Sequence, residues 1–180
     1  AYIGSMGSVY DLRTVVEAAI RFSREEPRFR LVLLGEGAQR KGLEARVREA
    51  GCEEVITFTG YLQGNDYEQA LAGAAVGMVP MFPDSMVAVP YKAGEYLARG
   101  MVVINSLPGE LQAALEEAGC GFFYEAGNAE SLLAAMRAAA VTVDYHRPDR
   151  SMLQARALFA DRFDRRKISA AYADWLIDRE

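Results

Sequence analysis

The feature that most constrains this chain is a rhythm. Six short apolar runs, at residues 1–6, 29–35, 55–60, 76–81, 101–106 and 121–124, alternate with amphipathic stretches of helical spacing. Runs such as "RLVLLG" and "MVVIN" are apolar at successive positions. A strand reads this way when both of its faces are covered, as in a parallel sheet between two layers of helices. The intervening stretches fit those layers. "LRTVVEAAIRFSRE" places Leu12, Val15, Val16, Ala19 and Phe22 on one helical face. "AQRKGLEARVREAG" is charged outside, with Leu43 and Val47 inside and Gly51 as a stop. "DYEQALAGA", "YKAGEYLARG", "GELQAALEEAG" and "NAESLLAAMRAAA" complete the alternation, the last with Asn128 as a fitting N-cap. The pattern predicts an α/β fold, a doubly wound Rossmann-like parallel sheet with right-handed crossovers.

The rhythm stops near residue 143. "VDYHRPDR" reads as a polar linker, and two charged helices are expected at about 151–162 and 165–179 with no strand between them. The expected organisation is therefore a sheet domain over residues 1–143, with residues 144–180 forming a linker and extra carboxy-terminal helices that pack on it. The chain starts without a methionine, directly in strand-like residues, and is expected to be one piece of a longer protein.

Composition narrows the function. A net charge of −5 over 180 residues argues against nucleic acid, which needs a basic face. Cys52 and Cys120 match no metal or redox spacing, so reduced thiols and a cytoplasmic setting are expected. His146, the one histidine, falls in the polar linker. There is no Asp-x-Asp, no His/Cys cluster and no Gly-x-Ser-x-Gly elbow, so neither a metal site nor a serine nucleophile is expected.

What remains is a set of turns and one lysine. Ligands of open α/β sheets sit at the carboxyl ends of the strands. The loops there are "GSMGS" (Gly4, Ser5 and Gly7), "GEGAQ" (Gly35 and Gly37) and "TGYL" (Gly60 and Tyr61). Glycine turns admit a ligand close to the backbone, and free amides at a helix start attract anions. The same turns serve equally as tight strand-to-helix connections, with Glu36 as a helix-capping carboxylate and Tyr61 as a half-buried aromatic. The fourth stretch, "VPYKAGEYLARG", is more pointed. Between Glu49 and Met136 the only basic residues are Lys92 and Arg99. Pro90 suits the first position of a helix, so Tyr91 and Lys92 would present their amides to an anion. A cation at a helix amino end costs about 0.3–1 kcal/mol unless an anion is bound there. Glu95, one turn on, suits the neighbouring hydroxyls of a ribose. The alternative is a plain intrahelical Lys92–Glu95 ion pair.

In order and spacing these segments resemble the carboxy-terminal, donor-binding half of a GT-B glycosyltransferase of the large retaining group 1 (family 4-like) class. "YIGSMG" with its helix, "FRLVLLGEGAQRKGLEARVREAG", "VITFTGYL", "GEYLARGMVVINS" and "CGFFYEAGNAESLLAAM" each resemble a family segment, and the resemblance runs from Tyr2 to about Arg137. It implies a nucleotide-sugar as donor substrate, no further cofactor and no metal. It places Glu95 on the ribose and Tyr91 and Lys92 near the diphosphate. The implied reaction moves a hexosyl-type sugar to a glycan or lipid-linked acceptor, as in polysaccharide biosynthesis. An amino-terminal acceptor domain, with peripheral membrane association through it, would be the partner, and this piece alone would not turn over. The family commonly carries Arg after the first loop glycine, Lys five residues later, and Glu eight residues before the helix glutamate. Here those positions are Ser5, Tyr10 and Val87, and "AVP" replaces a Gly-Phe-Gly. Lys92 is the expected substitute cation. A non-catalytic nucleotide- or partner-binding module is the other reading. A sugar-nucleotide epimerase would need His and carboxylate groups that the chain does not offer.

Overall fold

The computed structural model of the chain describes residues 1–143, 150–164 and 166–170. Its strands are β1 (Tyr2–Ile3), β2 (Leu31–Leu34), β3 (Ile56–Gly60), β4 (Val76–Val79), β5 (Val102–Asn105) and β6 (Gly121–Phe123). Its helices are α1 (Leu12–Glu25), α2 (Arg40–Glu49), α3 (Gly64–Leu71), α4 (Tyr91–Ala98), α5 (Glu110–Ala118), α6 (Ala129–Thr142) and α7 (Arg150–Leu158), the last followed by a π-helical turn, Phe159–Phe163. The strands occupy the six apolar runs but are shorter than them, because the run ends turn into loops that bond to neighbouring loops.

All strand pairs are parallel, in two sheets ordered β1-β2-β3 and β4-β5-β6. The sheets meet edge to edge. The Ala1 amine donates to Val76 O (2.6 Å), and the Met78 amide donates to Ala1 O (2.9 Å). Read across the seam, the order is 3-2-1-4-5-6, the doubly wound Rossmann-like arrangement that the alternation predicts. The reversal of winding lies between β1 and β4, and ligands of such sheets bind beyond the carboxyl ends there.

The strand period of two divides the core cleanly. Tyr2, Leu33, Met78 and Ile104 face the layer of α1, α2 and α6. Ile3, Leu34, Val79 and Val103 face the layer of α4, α5 and α7. Both faces are therefore buried, which is why the runs lack polar alternation; each fully buried Leu, Ile or Val contributes about 1.5–3 kcal/mol. Asn128 caps α6, its Oδ1 accepting the Ser131 amide at 3.0 Å. Ala155 and Leu158 bring α7 onto the second layer. The helix expected at 165–179 is described only at residues 166–170, which are helical; the linker residues 144–149, with His146, lie outside the described residues.

One boundary differs from the sequence expectation. Pro90 is the N-cap of α4, extended at ψ 140°, and the helix opens at Tyr91. A φ of −69° suits either position, so the ring alone does not decide. The chain arrives from an extended loop, and that sets ψ.

Candidate functional site

Two loops are laced together at the carboxyl ends of β1 and β2. The Gly4 amide donates to Leu34 O (2.9 Å), the Met6 amide to Glu36 O (2.8 Å), and the Gln39 amide to Met6 O (3.1 Å). Gln39 adds its side chain, whose Nε2 donates to Gly7 O (2.5 Å) and Tyr10 O (2.9 Å). Gly35 makes this lacing possible. Its φ is +135°, and a Cβ there would lie 2.0 Å from Gly4 O. The first loop is tied on its other side to the segment after β4, through the Asp11 amide to Pro80 O (2.9 Å) and a bridge between Tyr10 and Met81. The glycine loop is thus held from both sides of the seam.

Beside it opens a cavity of about 540 Å³, lined by Ile3, Gly4, Ser5, Leu34, Gly35, Glu36, Tyr61, Leu62, Tyr67, Tyr91, Lys92 and Glu95. Seven of the ten residues singled out in the sequence meet there: Gly4, Ser5, Gly35, Tyr61, Tyr91, Lys92 and Glu95. Gly7, Gly37 and Gly60 do not line it. Gly37 packs against the Met6 backbone, and Gly60 gives its carbonyl to the Gly35 amide (2.8 Å). Their role here is to let backbones approach. A second cavity of equal volume lies at the other end of the sheet, walled by Phe22, Phe29, Val55, Val76 and Met136 and by Arg28 and Arg30. Volume does not choose between the two. Position favours the first, which lies at the switch point and holds Lys92 and Glu95 side by side on the start of α4.

Lys92 does not reach into open water. Its Nζ is buried without a hydrogen-bond partner among the described residues. It lies 4.2 Å from the centroid of the Tyr2 ring and 3.9 Å from that of Tyr10. Those rings meet edge to face, with centroids 5.8 Å apart. Gly4, at φ +126°, gives the ammonium room: a Cβ there would stand 3.0 Å from Nζ. Burial pulls the Lys92 ammonium down to about 7. Attraction to the two ring faces works the other way, toward the charged form. Tyr10, where the resemblance leads one to expect a lysine, packs against Lys92 from another element.

Glu95 is not paired with Lys92. Its Oε1 accepts Tyr67 Oη at 2.5 Å and Arg99 Nη2 at 3.2 Å. Arg99 turns its fork onto Glu68, at 2.8 and 2.9 Å. The alternative Lys92–Glu95 pair does not form; Glu95 instead makes an i,i+4 pair running toward the helix carboxyl end, where a cation complements the dipole. Burial, then the Glu95 carboxylate, push the Tyr67 phenol far above its usual range. Tyr61 is 72% exposed, not half-buried, and Tyr91 is 89% exposed; both stand at the cavity mouth. Glu36 caps no helix but pairs with Arg40. Among the described residues, no group of three or more His, Cys, Asp or Glu is placed to hold a metal ion.

Residues 1–140 match the family model "Glycosyl transferases group 1". The chain belongs to this glycosyltransferase family. No curated protein matches it. Its fold is that of GT-B carboxy-terminal domains. The C-terminal domain of the group 1 family protein LpcC from Francisella tularensis superposes with a TM-score of 0.74 at 17% identity, covering 91% of this chain and 85% of that one. The Anabaena protein HepE, solved in complex with UDP, gives 0.77 at 17% identity, with 98% and 48% covered. Sucrose-phosphate synthase from Thermosynechococcus elongatus gives 0.76 at 22%, with 98% and 44% covered. The chain thus spans just under half of the last two proteins.

In this glycosyltransferase domain, sequence reasoning missed Tyr2, Tyr10, Leu62, Tyr67 and Arg99 as parts of the site. The four-residue spacing of Glu95 and Arg99 was a usable signal for one contact. Nothing local connects Tyr67 with Glu95, or Tyr2 with Lys92, across the intervening chain.

Proposed function

We propose that this domain binds the nucleoside diphosphate of a nucleotide-sugar donor and forms the donor half of a metal-independent glycosyltransferase. The observation that carries the reading is the single cavity in which the glycine loop, the start of α4, Lys92, Glu95 and two exposed tyrosines converge. The HepE structure with UDP, and that of a pneumococcal O-GlcNAc transferase with UDP and GlcNAc, support it by likeness of fold. In this reading Tyr61 and Tyr91 flank the base, Glu95 accepts the ribose hydroxyls, and Gly4, Ser5, Gly35 and the first amides of α4 cradle the diphosphate. Cleavage of the bond between the sugar's anomeric carbon and the diphosphate oxygen leaves negative charge on the departing group. Lys92, protonated and released from its rings, offsets that charge together with the amides, in a site with few other cations. The acceptor, a glycan or lipid-linked sugar, and the hexosyl specificity belong to the complete enzyme, whose amino-terminal domain closes the site and contacts any membrane surface. Among the described residues no helix is long and apolar enough to cross a membrane, and the free, buried Cys52 and Cys120 accord with a cytoplasmic location.

A second reading keeps the nucleotide but not the chemistry. The family pattern that the sequence resembles would place two cations and a carboxylate where this chain has Ser5, Tyr10 and the exposed Val87, which favours a binding module. Calorimetric titration with UDP, with and without chelator, tests what both readings share. Binding that survives chelator supports a metal-free cradle; strict dependence on magnesium or manganese overturns it. Transfer by the full-length enzyme, lost on Lys92→Ala, separates enzyme from module.

A further inference from the structure

Glu95 is held in a way that its proposed ligand alone does not require. Two donors from different helices converge on one of its oxygens. Tyr67, on α3, donates to Oε1 at 2.5 Å, and Arg99, at the end of α4, donates to the same atom at 3.2 Å. Oε2 makes no hydrogen bond among the described residues. Arg99 is itself fixed. It forms a two-pronged pair with Glu68, the neighbour of Tyr67 on α3, and its guanidinium lies 5.6 Å from the centroid of the Tyr67 ring. Tyr67, Arg99 and Glu68, from two helices, thus define one carboxylate position. Tyr67 and Glu95 line the cavity; Arg99 and Glu68 stand behind them.

A carboxylate near a diphosphate has two problems. It repels the phosphates, and as a flexible side chain it loses rotamer freedom when it grips a ligand. The network addresses both. Arg99, shared with Glu68, draws on the Glu95 charge from the side away from the cavity. Tyr67 and Arg99 together immobilise the carboxylate before a ligand arrives, and the oxygen they leave unbonded is the one available to accept ligand hydroxyls.

We propose that Tyr67 and Arg99 are positioning residues that hold Oε1 of Glu95 so that Oε2 discriminates a ribose diol from a deoxyribose, making α3 part of the selectivity of the site. The proposal rests on the reading of Glu95 as the ribose acceptor given under Proposed function. A merely structural tie between α3 and α4 would affect every ligand alike, so the test reads selectivity rather than affinity. The chain is titrated by calorimetry with UDP, 2′-deoxy-UDP and inorganic pyrophosphate, as the wild type and as Tyr67→Phe and Arg99→Lys. The wild type is expected to prefer UDP to 2′-deoxy-UDP by roughly tenfold or more, the scale of one hydrogen bond to a charged group. Tyr67→Phe, which removes one hydroxyl, is expected to cut that preference below about threefold, with pyrophosphate affinity held within about twofold. Arg99→Lys, which loses the fork, is expected to fall between. A wild type without preference for the ribose overturns the ribose reading itself, and the proposal with it. A wild type that discriminates beside a Tyr67→Phe that discriminates equally well overturns the proposal alone. So does a uniform loss of all three ligands in both variants.

Discussion

Replacing Lys92 with Met tests the site most directly. Methionine keeps an unbranched apolar chain of similar length between Tyr2 and Tyr10 and removes the charge. In the wild type the ammonium is buried, has no hydrogen-bond partner among the described residues and is pulled from 10.5 down to about 7. Such a depression corresponds to a cost on the order of 5 kcal/mol for holding the charge in the folded chain at low pH. Attraction to the two rings, about 0.5–2 kcal/mol each, offsets part of it. A net penalty of about 1–3 kcal/mol at neutral pH follows, and Lys92→Met removes it. The folded pKa lies below the unfolded one, so the unfolded chain binds more protons between these values. Wild-type stability therefore rises with pH from about 7 to 10.5. The gain from Lys92→Met is accordingly largest below that window and vanishes above it. Ligand binding should show the reverse sign. A diphosphate beside Nζ stabilises the ammonium, so the wild type takes up a proton on binding and its affinity falls as pH rises above about 7, where the ligand's own phosphate, with a second pKa near 6, is already ionised. Lys92→Met should bind UDP more weakly by about 1.5–3 kcal/mol and lose that pH dependence. Denaturant unfolding across pH, and calorimetry in buffers of different ionisation enthalpy, measure both arms. A wild-type UDP affinity that stays flat between about pH 7 and 9, or equal UDP-induced stabilisation in both proteins, would refute the argument.

Three further outcomes concern the frame of the site. Gly35→Ala places a Cβ 2.0 Å from Gly4 O at a φ of +135° and is expected to cost at least about 2–3 kcal/mol by chemical denaturation; Gly42→Ala in α2, where a Cβ meets nothing within 4 Å, should instead stabilise by about 0.5–1 kcal/mol. Tyr96→Phe strips the acceptor from the buried Ile3 amide, bonded at 2.9 Å, and should cost about 1–3 kcal/mol while loosening β1 against α4, visible as faster exchange of the Ile3 amide. Asn128→Ala removes the cap of α6 and should lower stability by about 1 kcal/mol, with no change in UDP affinity.

The sequence by itself determined the layered architecture. Runs like "RLVLLG" and "MVVIN" have no polar face to offer water, so they are stable only as strands covered on both sides, and helices of 3.6-residue period between them supply the cover. The same local logic named Asn128 as a cap and placed Gly4, Gly35, Lys92 and Glu95 at the ends of strands where ligands bind. It went no further because local sequence does not say which side chains meet across the seam. Lys92 at a helix start reads as a cation placed for an anion; only the fold brings Tyr2 and Tyr10 around it and drives its proton affinity down. Glu95 has a lysine three residues before it and an arginine four residues after it. The tertiary structure chose the arginine, because Lys92 is drawn under the glycine loop while Tyr67 and Glu68 arrive from α3 to complete the Arg99 side. Gly37 and Gly60 show the same limit from the other direction: a glycine in a turn looks alike whether it faces a ligand or another backbone, and the difference is set by what the rest of the chain places against it.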